Sequence, residues 1–172
     1  MTIEEYTKID TTFNRSLFIG EMNQMIQDIY MAITENQVER IKKYVKEEVY
    51  QKIQAILERN TQDGSSLKFK YVSIDSVIRS FELENNIPVI KITSTCTFAK
   101  YYVKEGEVVR GNETKQIQVI HNFKVQKRKE ALSFYRCQGC GASYDITTDK
   151  ICPHCGKSLL GETHNYLIVE ME

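Results

Sequence analysis

An α+β domain, with helices packed against one face of a curved antiparallel sheet, is the fold class the sequence predicts, and three observations predict it. Through the first third of the 172-residue chain, apolar residues recur every three or four positions, the period of a helix that buries one stripe. After Ser66 the period becomes two, as in a strand with one buried face. Late in the chain, two CxxC pairs stand between two strand-like runs, so a metal-binding ribbon is expected as an insertion before the last strand. Helices followed by a run of strands is the order of an α+β domain.

Taken in order, Phe18, Met22, Met25, Ile29 and Ile33 form the stripe of a first helix, which at this spacing is expected to be core. Val38, Ile41, Val45, Val49, Ile53 and Ile56 continue the pattern as one helix or two, until the polar stretch RNTQDGSS, with Gly64 available as a cap, stops it. FKYVSIDSVIRSFELE reads as a strand ended by ENNIP, whose two asparagines supply turn chemistry. In PVIKITSTCTFAK, Ile90, Ile92, Cys96 and Phe98 take one face while Lys91, Thr93, Thr95 and Thr97 take the other. Cys96 is then a small buried hydrophobe. YYVKEGEVVRG reads as a small hairpin around Gly106. In IQVIHNFKVQ, residues Ile117, Val119, His121, Phe123 and Val125 alternate with mostly polar neighbours, as in a half-buried antiparallel strand. The expected division is helices and sheet over residues 1–135, an inserted zinc ribbon over 136–160, and a final strand within 161–172 that returns to the sheet.

Cys137 and Cys140 are separated by two residues, and Cys152 and Cys155 repeat the spacing eleven residues later. Two intervening residues let the chain turn a knuckle that aims both sulfurs at one ion, helped by Gly139, Gly141 and Gly156. Two knuckles complete a tetrahedron. Four thiolates suit zinc, and a closed shell leaves no place for water, so the expected site is structural. Arg136, Lys150 and Lys157 are near in sequence and can offset the negative tetrathiolate. A pair of redox dithiols is the competing reading. His154, inside a knuckle, is read as a solvated side chain.

Lys and Arg balance Asp and Glu at 23 each, so no whole-molecule field draws the protein to nucleic acid or an anionic membrane. The start, MTIEEYTKIDTTF, is acidic where a secretory signal is basic. No apolar run approaches the roughly 18 to 20 residues that span a bilayer. A soluble, cytoplasmic protein is expected. The N-x-[ST] matches at Asn14 and Asn112 are then chance occurrences.

The succession IDTTFNRSLFIGEMNQMIQDIYMAI, ENQVERIKKYVKEEVYQKIQAIL and YYVKEGEVVRGN before a long strand resembles the domain shared with the membrane-anchor subunit forty-four of the mitochondrial inner-membrane import translocase. Bacterial forms with a zinc ribbon before the last strand belong to that resemblance, as CQGC and CPHCG are placed here. It covers about residues 9–171. It implies the cone-shaped fold of the nuclear transport factor two superfamily, in which a bent sheet and helices enclose a pocket, and a role in protein transport or membrane-associated binding.

Three functions follow as expectations. The first is a non-enzymatic adaptor or binding module with a protein partner, for which Lys124, Lys127, Arg128 and Lys129 offer a basic patch that could meet anionic head groups at the membrane periphery or an acidic protein. The second is an isomerase- or dehydratase-type enzyme with a small-molecule ligand in the pocket, where His121 would be approached by Asp75, Tyr101 and Tyr102. The third is a nucleic-acid-binding ribbon using Lys127, Arg128 and Lys129 with Phe134, Tyr135 and Tyr144 as stacking partners. Against the third stand the neutral total charge and the acidic Glu162, Glu170 and Glu172. The non-enzymatic reading with structural zinc is preferred.

Overall fold

The computed structural model describes residues 1–128, 134–137, 139–145, 151–157 and 165–172. A first helix, α1 (Ile3–Ile9), precedes the predicted ones. It starts because Thr2 accepts a hydrogen bond from the Glu5 amide at 3.1 Å, while the Glu5 carboxylate accepts from the Thr2 amide at 2.7 Å. This reciprocal cap satisfies two otherwise orphaned donors. Tyr6 anchors the helix, its ring 5.0 Å from that of Phe13 and 4.9 Å from that of Phe81. Helix α2 (Arg15–Thr34) follows, and Asn14 caps it by accepting from the Leu17 amide at 3.0 Å. Phe18, Met22, Met25 and Ile29 are buried, as their spacing predicts.

The second apolar series divides into a 3-10 helix (Val38–Lys43) and α3 (Glu47–Asn60). The break at Tyr44–Lys46 has a cause beyond its own sequence. Tyr44 O accepts from Ile168 N and Ile168 O accepts from Lys46 N, both at 2.9 Å, so this segment pairs with a distant strand and cannot continue as helix.

The strands are β1 (Ser66–Glu84), β2 (Ile87–Lys104), β3 (Glu107–Lys127), β4 (Phe134–Arg136), β5 (Ser143–Asp145) and β6 (Tyr166–Met171). Four form an open sheet in the order β1-β2-β3-β6, and β4 pairs with β5 separately. The β1–β2 pair and the β2–β3 pair are antiparallel, so the α+β class with N-terminal helices and an antiparallel sheet holds. Asn85 and Asn86, at φ 52 and 64, make the turn between β1 and β2, a conformation asparagine tolerates better than most residues.

The small hairpin expected around Gly106 is instead the tip of one long hairpin, with β2 and β3 as its arms. Its register shifts between Ala99 and Tyr101, opposite a bulge that begins at Gly111. Gly111 has φ +77, and a Cβ there would lie 2.4 Å from the Lys100 carbonyl oxygen. The bulge therefore needs glycine, and it lets two periodic segments separated by polar residues belong to the same strands.

Two compact units result. One comprises Met1–Gln126 with Leu167–Glu172, and the other Lys127–Tyr166. The ribbon expected over residues 136–160 falls within the second unit. In the first, α2 and α3 bury their apolar stripes, and Val89, Ile90, Ile92, Phe98, Phe123 and Val125 of the sheet are buried. Among the described residues, no helix is long and apolar enough to cross a membrane.

Candidate functional site

In the second unit, each pair of cysteines sits on the same kind of turn. Cys137 N donates to Ala142 O and Gly141 N to Cys137 O, both at 2.8 Å. Cys152 N donates to Lys157 O at 2.8 Å and Gly156 N to Cys152 O at 2.9 Å. Gly141 and Gly156 hold the left-handed positions these turns require, at φ 76 and 75.

The turns bring all four sulfurs within 4.8 Å of one another. The Cys137 and Cys155 sulfurs lie 3.6 Å apart, and those of Cys140 and Cys152 lie 3.7 Å apart. Thiolates at about 2.3 Å from a tetrahedral ion are separated by about 3.8 Å, whereas disulfide sulfurs are separated by about 2.05 Å. These are the spacings of ligands around a metal. Each close contact also joins one CxxC pair to the other, which a pair of independent dithiols does not require.

Backbone N–H groups complete the shell. Gly139 N donates to the Cys137 sulfur at 3.3 Å. Hydrogen bonds from the backbone at Cys155, and at His154 as well, hold the Cys152 thiol down at about 6. Cys155 is favoured as thiolate by the Lys157 backbone, yet burial and the three neighbouring sulfurs push it up to about 11. Four sulfurs this close resist a full set of negative charges until a cation joins them. Cys137 and Cys152 are buried while Cys140 and Cys155 are exposed, and His154 is exposed outside the cluster. Together the four cysteines can hold a metal ion.

The first unit contains a cavity of about 240 Å³ between α2, α3 and the sheet. Its walls are mainly aliphatic and aromatic, with Ile26, Ile33, Ile53, Leu57, Phe98 and Val119 among them. Its polar lining comes from Tyr30, Asn60, Lys100 and His121. The Tyr30 hydroxyl lies 3.1 Å from His121 Nε2. Burial lowers the His121 pKa and raises that of Tyr30, so at neutral pH the pair is an uncharged phenol and an uncharged imidazole.

Of the residues expected in the pocket, His121 lines it and three do not. Asp75 is exposed opposite Thr95, because alternation along β1 turns it away from its buried neighbour Ser76. Tyr101 and Tyr102 are buried, but Tyr102 lies under the Arg110 guanidinium at 3.9 Å and Tyr101 near the Lys70 ammonium at 5.5 Å. The structure thus brings no carboxylate to His121 among the described lining residues. The polar lining residues that sequence reasoning missed are Tyr30, Asn60 and Lys100. Tyr30 could have been found, since it lies four positions after Ile26 and three before Ile33 on the helical stripe.

Lys124 lies between Glu84 at 3.1 Å and Glu170 at 2.9 Å, and the Glu170 hydrogen bond, with that of Glu84, raises its pKa. Its charge is already answered within the sheet. Lys127 and Arg128 are half-buried and partnered. Lys129, Lys150 and Glu162 lie outside the described residues, as do the side chains of Phe134, Tyr135, Arg136 and Tyr144.

Helices over one face of an open antiparallel sheet, an apolar cavity between them and a four-cysteine cluster before the last strand define an α+β domain with a candidate metal centre. The model of the Tim44-like domain family matches residues 1–133, and the chain belongs to that family. No curated protein matches the chain.

Proposed function

We propose that the protein is a non-enzymatic binding module, an adaptor whose first unit takes an apolar group into its cavity and whose second unit is folded around structural zinc. The observation that carries this reading is the cavity itself. Its walls are mainly apolar, its Tyr30–His121 pair is uncharged, and the described lining residues include no carboxylate. Such a site gains affinity by removing apolar surface from water and gains orientation from a few polar groups.

Zinc is the ion that the sulfur set favours. A tetrahedral four-sulfur site selects zinc or iron, and zinc supplies folding energy without redox chemistry. Membership in the Tim44-like family supports work alongside protein transport or at a membrane surface.

The test combines metal analysis with an apolar fluorescent probe, 1-anilinonaphthalene-8-sulfonate. One zinc per chain is expected, together with saturable probe binding that falls about tenfold when Ile33→Trp fills the cavity. Probe binding unaffected by Ile33→Trp would remove the cavity from the function, and a purified protein that neither carries nor takes up zinc would remove the metal.

A further inference from the structure

The cavity contains a polar point whose orientation is fixed. Tyr30 of α2 and His121 of β3 both line it, and the Tyr30 hydroxyl lies 3.1 Å from His121 Nε2. Phe69 meets the Tyr30 ring edge-on with centroids 4.8 Å apart, and Phe98 lies tilted against it at 4.9 Å. With its ring clamped on two sides, the buried tyrosine holds its oxygen in one place.

The protons decide what that oxygen can still bind. Burial keeps the phenol and the imidazole uncharged, and a neutral imidazole carries a single N–H. His121 gives a hydrogen bond to the backbone of Glu172, so Nε2 is left as an acceptor and the Tyr30 hydroxyl is its donor. The Tyr30 oxygen then keeps two acceptor positions. The Cys96 thiol lies beside it and, as a weak donor, can use one of them. Ser94, opposite His121 across the ladder, is bonded instead to the Ser76 hydroxyl at 2.7 Å. One acceptor position therefore remains for a donor brought into the cavity.

The rest of the lining favours a hydroxyl there and disfavours a charge. The described lining residues include no carboxylate, and the Lys100 ammonium lies 5.8 Å from the ring centroid of Tyr102, a residue outside the lining. A carboxylate or phosphate carried inward to Tyr30 would lose its hydration and meet an acceptor. An apolar group without a donor would leave the Tyr30 oxygen short of a partner, which also costs free energy. A hydroxyl satisfies the oxygen and adds no charge. Size sets the remainder. A cavity of about 150 Å³ admits benzene, so one of about 240 Å³ suits an apolar group of about eight to ten carbons.

We propose that the cavity binds an uncharged alcohol of that size, with its hydroxyl directed inward to donate to the Tyr30 oxygen and its hydrocarbon against the aliphatic and aromatic walls. The proposal rests on the reading of the protein as a binding module and names its ligand chemistry. Tyr30 is the residue that sets specificity, and His121 positions it by accepting its hydrogen bond.

The test is isothermal titration calorimetry on the full chain with ligands of matched length: 1-octanol, its isomer heptyl methyl ether, which has no donor, and octanoate, which is charged. 1-Octanol should bind about tenfold more tightly than either of the others. Tyr30→Phe should bring the alcohol and the ether within about twofold of each other, whereas a loss of packing alone would weaken both and keep their ratio. The comparison of ligands on the unsubstituted chain needs no variant, and retained helicity checks the folding of Tyr30→Phe.

Equal affinity for the alcohol and the ether, or a preference for octanoate, overturns the proposal. So does a preference for the alcohol that survives Tyr30→Phe. Failure of 1-octanol to bind, while 1-anilinonaphthalene-8-sulfonate still binds in a manner sensitive to Ile33→Trp, defeats the alcohol proposal alone. Loss of both defeats the binding-module reading with it.

Discussion

The two units hold themselves together by different means. The first, Met1–Gln126 with Leu167–Glu172, buries a contiguous set of large apolar side chains, with Phe18, Met22, Met25, Ile26, Ile41 and Ile90 at most 2% exposed. Its stability comes from burial spread over many residues. In the second, Lys127–Tyr166, the described buried side chains include two cysteines whose sulfurs face two exposed ones. A segment of about 40 residues rarely buries enough apolar surface to fold alone. A metal held by the four cysteines would concentrate the required free energy in one place, so the two units should fail under different insults.

The largest separation is expected from Cys152→Ser. Losing one of four thiolates should weaken metal affinity about a hundredfold or more and remove amide-exchange protection from the second unit, while the far-ultraviolet helical signal of the first persists. Loss of the helical signal as well would show that the units unfold together and would end the comparison. Next in size is Met22→Ala, since Met22 is fully buried in α2. It should cost about 2–5 kcal/mol of stability in the first unit, measured by denaturant titration, and leave the metal stoichiometry unchanged.

A smaller effect follows from His121. Burial holds its pKa below the ordinary 6.5, partly opposed by a backbone hydrogen bond at Glu172. The unfolded chain therefore binds this proton more readily than the folded one. The imidazole's contribution to stability is complete above the ordinary pKa and declines as pH falls through it towards the lower folded value. His121→Gln should flatten that part of the stability profile of the helical signal. An unchanged profile would mean that the imidazole is solvated in the folded state.

The residues whose partners are near in sequence were the most legible. The α2 stripe, the alternation along β2 and β3 and the knuckle spacing of the cysteines are all local patterns. Each is visible because one face of an element is buried or one short turn gathers neighbouring sulfurs. What the sequence hid was long-range. The break before α3 depends on Ile168, and the length of the β2–β3 hairpin depends on what Gly111 meets across the ladder. The pocket shows the same limit. Alternation puts His121 on the cavity face, but it does not say which face of β1 looks inward and so does not exclude Asp75, and Tyr101 and Tyr102 lie where bulges disturb the alternation.

The position of β6 also sets an order of events for a chain made from its N-terminus. The helices and three long strands emerge first, and the strand that bears Met171 follows only after the cysteine segment. Until then β3 lacks its β6 neighbour beside Asn122, a state in which partly formed sheets are most prone to mispair. Completing one wall of the cavity thus waits on the cysteine segment, and a nascent chain stalled at the cysteines would lack Met171 from that wall.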